Sequence, residues 1–399
     1  MKKLLVAALS MWSISTYARD NRIVIGTVDS IYSTILKQPR KIWVHMPDTS
    51  GNFLYGQKRY PVVFLLDGEA FFYAAAGTTQ FLSTNTQVCP EMILVGINSG
   101  DRMHDLTPWH DTTVPKDSNL VRSSGGGEQF TAFLEKELIP YIDANYPTAP
   151  YRMLVGHSLG GLLVLNTLIK HTELFNSYVA IDPATYWAGQ KLLEQAGPVL
   201  QQKNFINKSL YVGLSGTLPA DTDSLMMDKT LATVAERSDI QFDALVNGSV
   251  NNGLQYRRKY FEQENHNSVP FPAMYDALHF LFDFMPMPAM KRDTVTTAAY
   301  MSHYKMISQK MGYTLLPPED EINGMGYYFL QKKMFEKAFS FFQMNIDNYP
   351  ESYNVYDSMS DLYVAENNKE KAIAYLEKEL ALKDAPYIRE KLARMKGDK

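Results

Sequence analysis

The chain has 399 residues, of which 45% are hydrophobic and 12% aromatic, which excludes an intrinsically disordered protein and predicts a large packed core. Its formal net charge of −4 at pH 7 argues against a nucleic-acid partner. The single cysteine, Cys89, has no second cysteine for a disulfide or a thiolate metal site, and we expect no metal or organic cofactor.

The N-terminus has the pattern of a secretory signal peptide. Lys2 and Lys3 precede an apolar run that begins at Leu4, and Ala18 is a small residue suited to cleavage. The run is too short to span a bilayer, and no later stretch is long and apolar enough to do so. We therefore expect residues 1–18 to be removed, leaving a periplasmic or secreted protein without a membrane span.

Residues 19–290 alternate short apolar runs with segments of helical periodicity. An early strand pair is expected within 23–35, and the alternating pattern at 40–47 predicts a further strand. Continuous apolar runs are typical of parallel strands that are covered on both faces. They lie at 60–66, 92–97, 178–181 and 210–214. This alternation predicts an α/β fold with a doubly wound, mostly parallel sheet, whose functional residues gather at the carboxyl ends of the strands.

The last part of the chain follows a different pattern. Lys337-Ala338 and Lys371-Ala372 match at an offset of 34 positions, with apolar residues at corresponding places around them. Paired helices with small residues at their crossing and this period are typical of tetratricopeptide repeats. We expect a connector at 291–317 and a small all-α, repeat-like domain at 318–399, docked on the catalytic domain or on a partner protein.

Residues 151–169 predict a strand, a sharp turn and a helix around the motif Gly156-x-Ser158-x-Gly160. Glycines flank the serine because the backbone of such a turn is strained and crowded. The turn lifts the Ser158 hydroxyl above the sheet edge and places the Leu159 N–H at a helix N-terminus. We predict that Ser158 is a nucleophile and that the Leu159 N–H binds an oxyanion.

A serine nucleophile needs a general base, and the base needs a group that orients it. Among the eight histidines, His266 is the candidate base because it lies in a polar loop after the last strand-like run, downstream of Ser158. The acid is expected after the strand at 210–214, and Asp223 is our first choice. The alternatives are Asp221, Asp228, and Asp182 at the end of the preceding strand. A Ser–His pair without an acid also remains open.

A second oxyanion donor is expected from the turn after the strand at 60–66. This turn has the sequence Asp67-Gly68-Glu69. Glycine allows the backbone to turn its N–H inward, and the Asp67 carboxylate can brace the loop. We assign the second donor to the Gly68 N–H.

The polar segment 98–109 is expected near the same edge of the sheet. Within it, Arg102 can form a structural ion pair with Asp105. Alternatively, Arg102 and His104 can bind a polar or anionic substrate.

Four stretches together resemble the family described as "putative esterase", which includes esterase D, feruloyl esterases, enterochelin esterases and mycolyltransferases. They are Tyr60–Gly68 (YPVVFLLDG), Val95–Pro108 (VGINSGDRMHDLTP), Tyr146–Gly161 (YPTAPYRMLVGHSLGG) and the His266 loop (HNSVP). The enterochelin-esterase-like branch is most similar, through Arg-x-x-Asp-Leu-Thr-Pro at 102–108. The resemblance covers about residues 25–285 and implies an α/β-hydrolase fold with Ser158 as nucleophile and His266 as base. It does not identify the acid.

The expected function is hydrolysis of a small-molecule carboxylic ester through an acyl-enzyme on Ser158. Acyl transfer to a hydroxyl acceptor at the same site is an alternative within catalysis. A scaffold whose helical repeats bind a partner protein, with an idle hydrolase site, is an alternative from another class.

Overall fold

A computed structural model of the chain describes residues 23–47, 58–113, 119–217, 221–249 and 251–397. The expected signal peptide at 1–18 lies outside these ranges. Within them, none of the helices has the length and apolar character needed to cross a membrane.

In the described ranges, eight strands form one sheet in the order β1-β2-β4-β3-β5-β6-β7-β8. They are β1 (Thr27–Ser33), β2 (Gln38–His45), β3 (Tyr60–Leu66), β4 (Ile93–Ile97), β5 (Thr148–His157), β6 (Ser177–Ile181), β7 (Ser209–Ser215) and β8 (Gln255–Phe261). The pairs β1–β2 and β2–β4 are antiparallel, and all other neighbours are parallel. The predicted α/β fold with a mostly parallel sheet is confirmed.

The N-terminal strand pair expected within 23–35 is wrong. Residues 27–33 form the single strand β1, and a turn at 34–37 leads directly into β2. Lys37 adopts a positive φ of 56° in this turn, which reverses the chain. The sequence of 34–37 carried no glycine or proline that would have indicated the turn.

Helices cover both faces of the sheet. They are α1 (Gly68–Gln80), α2 (Arg102–Leu106), α3 (Asn119–Arg122), α4 (Gly127–Phe133), α5 (Ile139–Asn145), α6 (Leu159–Lys170), α7 (Trp187–Gln202), α8 (Thr222–Met227), α9 (Val234–Gly248) and α10 (Pro270–Leu281). Every residue of β3, β4 and β6 is buried, as expected for strands between two layers of helices. One hydrophobic cluster fills each face of the sheet.

The C-terminal part is all-helical. Its helices are α11 (Thr297–Met311), α12 (Glu319–Gln331), α13 (Phe335–Asn348), α14 (Tyr353–Ala365), α15 (Lys369–Leu382) and α16 (Pro386–Lys396). The starts of α12 and α14, and those of α13 and α15, are both 34 positions apart. Ala338 and Ala372 are fully buried, where they allow neighbouring helices to approach closely.

Helix α11 joins the two parts of the protein. Ile307 and Met311 belong to the cluster that covers one face of the sheet, whereas Tyr300 belongs to the cluster of the C-terminal helices. The segment expected as a connector therefore contributes to both cores.

Candidate active site

Ser158 lies in a sharp turn between β5 and α6. Its backbone has φ 59° and ψ −117°, a conformation that is costly for any residue with a side chain. Hydrogen bonds on both sides hold the turn: the Ser158 N–H donates to Ile181 O (2.9 Å), and the Ala184 N–H donates to Ser158 O (3.1 Å). A Cβ on Gly156 would lie 2.4 Å from the carbonyl carbon of Gly160, so only glycine fits.

The Leu159 N–H is the first of helix α6, and the first N–H groups of a helix have no partner within it. The partial positive charge at this end of the helix favours an anion there. Within the described ranges the Ser158 hydroxyl makes no hydrogen bond. Catalytic hydrogen bonds of a free enzyme commonly form only when substrate is bound.

His266 pairs with Asp182. The imidazole Nδ1 lies 3.0 Å from Asp182 Oδ2, and the His266 side chain is 52% exposed while that of Asp182 is 11% exposed. The two residues follow β8 and β6, whose carboxyl ends lie at the same edge of the sheet as the Ser158 turn. A donor at Nδ1 leaves Nε2 free to accept a proton, which is the arrangement a serine nucleophile requires.

Asp182 is held in place by β7. Its backbone N–H donates to Gly213 O (2.7 Å), and its carboxylate accepts from the Ser215 N–H (2.7 Å) and the Ser215 hydroxyl (2.6 Å). Burial works to raise the pKa of Asp182, but the hydrogen bonds from His266 and Ser215 outweigh it and lower the pKa overall. The carboxylate is therefore ionised at neutral pH and can stabilise an imidazolium.

The first choice of acid, Asp223, does not contact His266. It lies exposed in the first turn of α8, where Asp221 accepts from the Ser224 N–H as the helix N-cap (2.9 Å). Asp228 accepts from the Thr230 N–H (2.8 Å) and holds the next turn. Asp221 and Asp228 thus stabilise local backbone structure. Among the four candidate acids, all within the described ranges, Asp182 is the one in contact with His266.

His157, inside the motif, is the main feature that the sequence did not reveal. Its Nε2 donates to the His266 carbonyl oxygen (2.7 Å), and its ring lies 4.4 Å from the His266 ring and 5.5 Å from that of Phe71. Burial and then the nearby His266 lower the pKa of His157 to about 4, so its ring is neutral at pH 7. It fixes the backbone of the loop that carries His266.

The loop at Asp67 faces the Ser158 turn from the other side. Asp67 has φ 52° and ψ 44°, and helix α1 begins at the next residue, Gly68. Its carboxylate accepts from the Ser99 hydroxyl (2.6 Å) and from Arg102 through Nε and Nη2 (2.8 and 3.0 Å). The expectation that Asp67 braces this loop is confirmed, and the Gly68 N–H lies at a helix N-terminus like that of Leu159.

Arg102 joins this loop to the serine turn. Besides its two bonds to Asp67, its Nη2 donates to the carbonyl oxygen of His157 (3.3 Å). The expected ion pair of Arg102 with Asp105 is wrong, because Asp105 instead lies 2.5 Å from the buried Arg40 of β2. Arg40 was not identified from the sequence, since a basic residue in a strand gives no indication of its partner.

His104, the other expected substrate-binding residue, also contacts Asp105. Its Nδ1 lies 3.1 Å from Asp105 Oδ1, and its side chain is 36% exposed. Its carbonyl oxygen accepts from the Gly126 N–H (2.9 Å), which ties α2 to the start of α4. In the described ranges, no group of three or more histidine, cysteine, aspartate or glutamate residues is arranged to hold a metal ion.

Comparison with known proteins agrees with the family resemblance seen in the sequence. The family model described as "Putative esterase" matches residues 33–238. Ferri-bacillibactin esterase BesA of Bacillus subtilis is 33% identical over 142 residues, which are 32% of this chain and 49% of that protein. Siderophore triacetylfusarinine C esterase of Aspergillus fumigatus is 25% identical over 152 residues, 37% of this chain and 52% of that protein. The matches thus span about half the length of these relatives.

Among solved structures, the IroE-like serine hydrolase from Shewanella oneidensis is similar with a TM-score of 0.68 and 26% sequence identity. The match covers 80% of this chain and 98% of that one. Because the family match ends at residue 238, it includes Ser158 and Asp182 but not His266.

Proposed function

Because the chain belongs to the "putative esterase" family, we propose that it is a serine hydrolase that cleaves a carboxylic ester. The observation that carries the proposal is the contact of Asp182 with His266 at the sheet edge where the strained turn presents Ser158. An acid, a base and a serine in this arrangement are the parts that acyl transfer from an ester requires.

In this proposal the Ser158 hydroxyl attacks the ester carbonyl while His266 Nε2 accepts its proton. The negative charge that develops on the carbonyl oxygen is bound by the N–H groups of Leu159 and Gly68, each at a helix N-terminus. Protonated His266, stabilised by Asp182, gives the proton to the leaving alcohol. Water then attacks the acyl-enzyme, with His266 again accepting a proton, and the acid is released.

For the substrate, we propose an ester of a siderophore. The supporting observation is that two relatives are a ferri-bacillibactin esterase and a siderophore triacetylfusarinine C esterase. The side chain of Arg102 is 39% exposed, and its guanidinium lies beside the serine turn. Besides holding Asp67, it is available to an anionic or polar oxygen of such a ligand.

We propose that the chain comprises a signal peptide at 1–18, a hydrolase domain at 19–290, a connector at 291–317 and a repeat-like helical domain at 318–399. The 34-residue offset between successive helix pairs supports the last assignment. Mass spectrometry of the N-terminus of the exported protein tests the signal-peptide assignment, since cleavage before Arg19 is expected.

The test of the reaction combines labelling with turnover. A fluorophosphonate is expected to modify Ser158, and p-nitrophenyl acetate and butyrate are expected to be hydrolysed. Ser158→Ala should remove both activities, while Ser340→Ala, an exposed serine in α13, should leave them unchanged. Folded protein that is not labelled at Ser158 would refute the serine mechanism.

A second assay addresses the substrate and the acceptor. Siderophore esters are expected to be cleaved with a higher kcat/KM than p-nitrophenyl esters. Comparing kcat/KM for the ferric and the iron-free siderophore shows which of the two forms is the better substrate. Product analysis with and without an added alcohol separates hydrolysis from acyl transfer. Equal or lower kcat/KM for every siderophore ester would contradict the substrate proposal but not the esterase reaction.

A further inference from the structure

A cavity of about 250 Å³ lies between helices α1 and α10, on the face of the sheet where α1 packs. Its floor is formed by the ends of the central strands at Leu65, Val155 and Ile181. Its rim includes Phe271, whose side chain is 60% exposed, so the cavity opens to solvent.

The α1 side of the cavity combines three alanines with Phe71 and Thr78, and the alanines leave space beside α10. Ala70, Ala74 and Ala75 line the α1 side, opposite Phe271 and Met274. Cavities of about 150 Å³ with apolar walls are known to bind benzene, so this volume accommodates a molecule of about ten non-hydrogen atoms.

The chemistry of the lining selects an uncharged ligand. Among the described residues, none that lines the cavity carries an ionised side chain at neutral pH, because His157 is neutral. The polar groups present are those of His157, Thr78, Asn267 and Ser268. They offer hydrogen bonds to one polar group of a ligand, whereas a buried ion would have no charge partner.

The cavity is separate from the proposed catalytic groups. Ser158, His266 and the two oxyanion donors do not line it. His157 is one of the lining residues, and its ring centroid lies 4.4 Å from that of the His266 ring. Because His157 also donates to the His266 carbonyl oxygen, a molecule in the cavity lies beside the residue that holds the loop of the candidate base.

We propose that this cavity is a second binding site, for an uncharged, largely apolar small molecule, and that its occupancy alters turnover through His157. The coupling rests on the proposed esterase function, whereas the binding does not. A ligand that changes the packing of His157 changes the position of His266 without occupying the space of the ester.

Calorimetry with 3-phenylpropanamide tests the binding. This uncharged molecule fits the volume, contains no ester and is a poor nucleophile. We expect a dissociation constant below about 1 mM, and at least tenfold weaker binding of 3-phenylpropanoate, which has the same shape and a negative charge. Similar affinities for the two compounds, or no binding of the amide, would overturn the proposal.

Two variants of α1 locate the site. Ala74→Phe places a ring in the cavity and should weaken amide binding at least tenfold. Gly77→Phe adds the same ring to the same helix where a Cβ has no neighbour within 4 Å and should change binding less than twofold. Unchanged affinity in folded Ala74→Phe would show that the amide binds elsewhere. Titration of Ser158→Ala keeps the binding result independent of the esterase reaction.

Kinetics with p-nitrophenyl acetate test the coupling. Saturating amide should lower kcat at least twofold with KM unchanged, and this effect should vanish in Ala74→Phe. A rise in KM with kcat unchanged would instead make the cavity part of the acyl subsite. Binding with no effect on either constant would refute the role of His157 in coupling.

Discussion

Asp182 Oδ2 lies 3.0 Å from His266 Nδ1, across 84 positions of sequence. The contact depends on β6, β7 and β8 being parallel neighbours, because Ser215 at the end of β7 holds the carboxylate between the other two strand ends. When Nδ1 of His266 carries the proton and donates it in a hydrogen bond to Asp182, Nε2 is unprotonated and can act as the base for Ser158.

Asp182→Asn should therefore lower kcat for p-nitrophenyl acetate by about 10³- to 10⁴-fold, as loss of the orienting acid does in serine hydrolases. The reason is that the amide can stabilise the wrong imidazole tautomer. Asp223→Asn is the matched control and should stay within twofold of the wild type. If kcat of folded Asp182→Asn fell less than tenfold, a Ser–His pair would suffice for the reaction.

Arg102→Ala tests whether Arg102 positions the oxyanion loop or binds substrate. It leaves the side chain of Asp67, which is 7% exposed, without its ion pair, so the Gly68 N–H loses its support. For p-nitrophenyl acetate we expect kcat to fall about tenfold to hundredfold with little change in KM, and Arg102→Lys to recover only part of the loss because lysine lacks the two-pronged geometry. The control is Arg122→Ala, at an exposed arginine of α3.

A rise in KM with kcat unchanged would assign Arg102 to substrate binding. Steady-state kinetics on one small ester and on one siderophore ester separate the two roles, because only the second substrate is large enough to reach a guanidinium beside the serine turn.

His157 should make stability depend on pH. Its pKa in the folded protein is about 4, against about 6.5 in an unfolded chain, so only the unfolded state takes up a proton between these values. The free energy of unfolding should therefore fall as pH is lowered from 6.5 to 4, by up to roughly 3 kcal/mol from this group. Urea unfolding at pH 7 and pH 4.5 measures the difference.

His157→Gln should flatten this pH dependence, since glutamine keeps a donor but does not titrate. His110→Gln, at an exposed histidine, should retain the wild-type slope. An unchanged slope in His157→Gln would show that other groups cause the acid sensitivity.

The crowding at Gly156 predicts opposite effects of the same substitution at two glycines. Gly156→Ala forces a Cβ to within 2.4 Å of the Gly160 backbone, and we expect a loss of about 1–3 kcal/mol in the free energy of unfolding together with lower kcat. Gly77→Ala, in open space on α1, should gain about 0.5–1 kcal/mol because alanine loses less backbone entropy in a helix. Equal effects at the two sites would contradict the packing described here.

Much of the fold could be predicted from local sequence. The run Tyr60–Leu66 is the strand β3 at its predicted bounds, and the strand–turn–helix around Ser158 has the expected form. Short continuous apolar runs indicate such strands because a strand covered on both faces is composed mainly of apolar residues. The turn at 34–37 escaped prediction because Lys37 adopts a positive φ that its residue type does not favour.

By itself, the sequence determined the strand, turn and helix around Ser158, because the spacing of Gly156, Ser158 and Gly160 specifies a turn that few other residues could form. Only the tertiary structure shows that Asp182 rather than Asp223 contacts His266, and which groups Arg102 and His157 contact. Each depends on which strand ends lie side by side, and strand order is set by packing between distant segments rather than by residues near the site. Asp182 comes directly after β6, whereas Asp223 lies several residues beyond the end of β7. Before the sheet is assembled, nothing in the sequence distinguishes the two carboxylates as partners of His266.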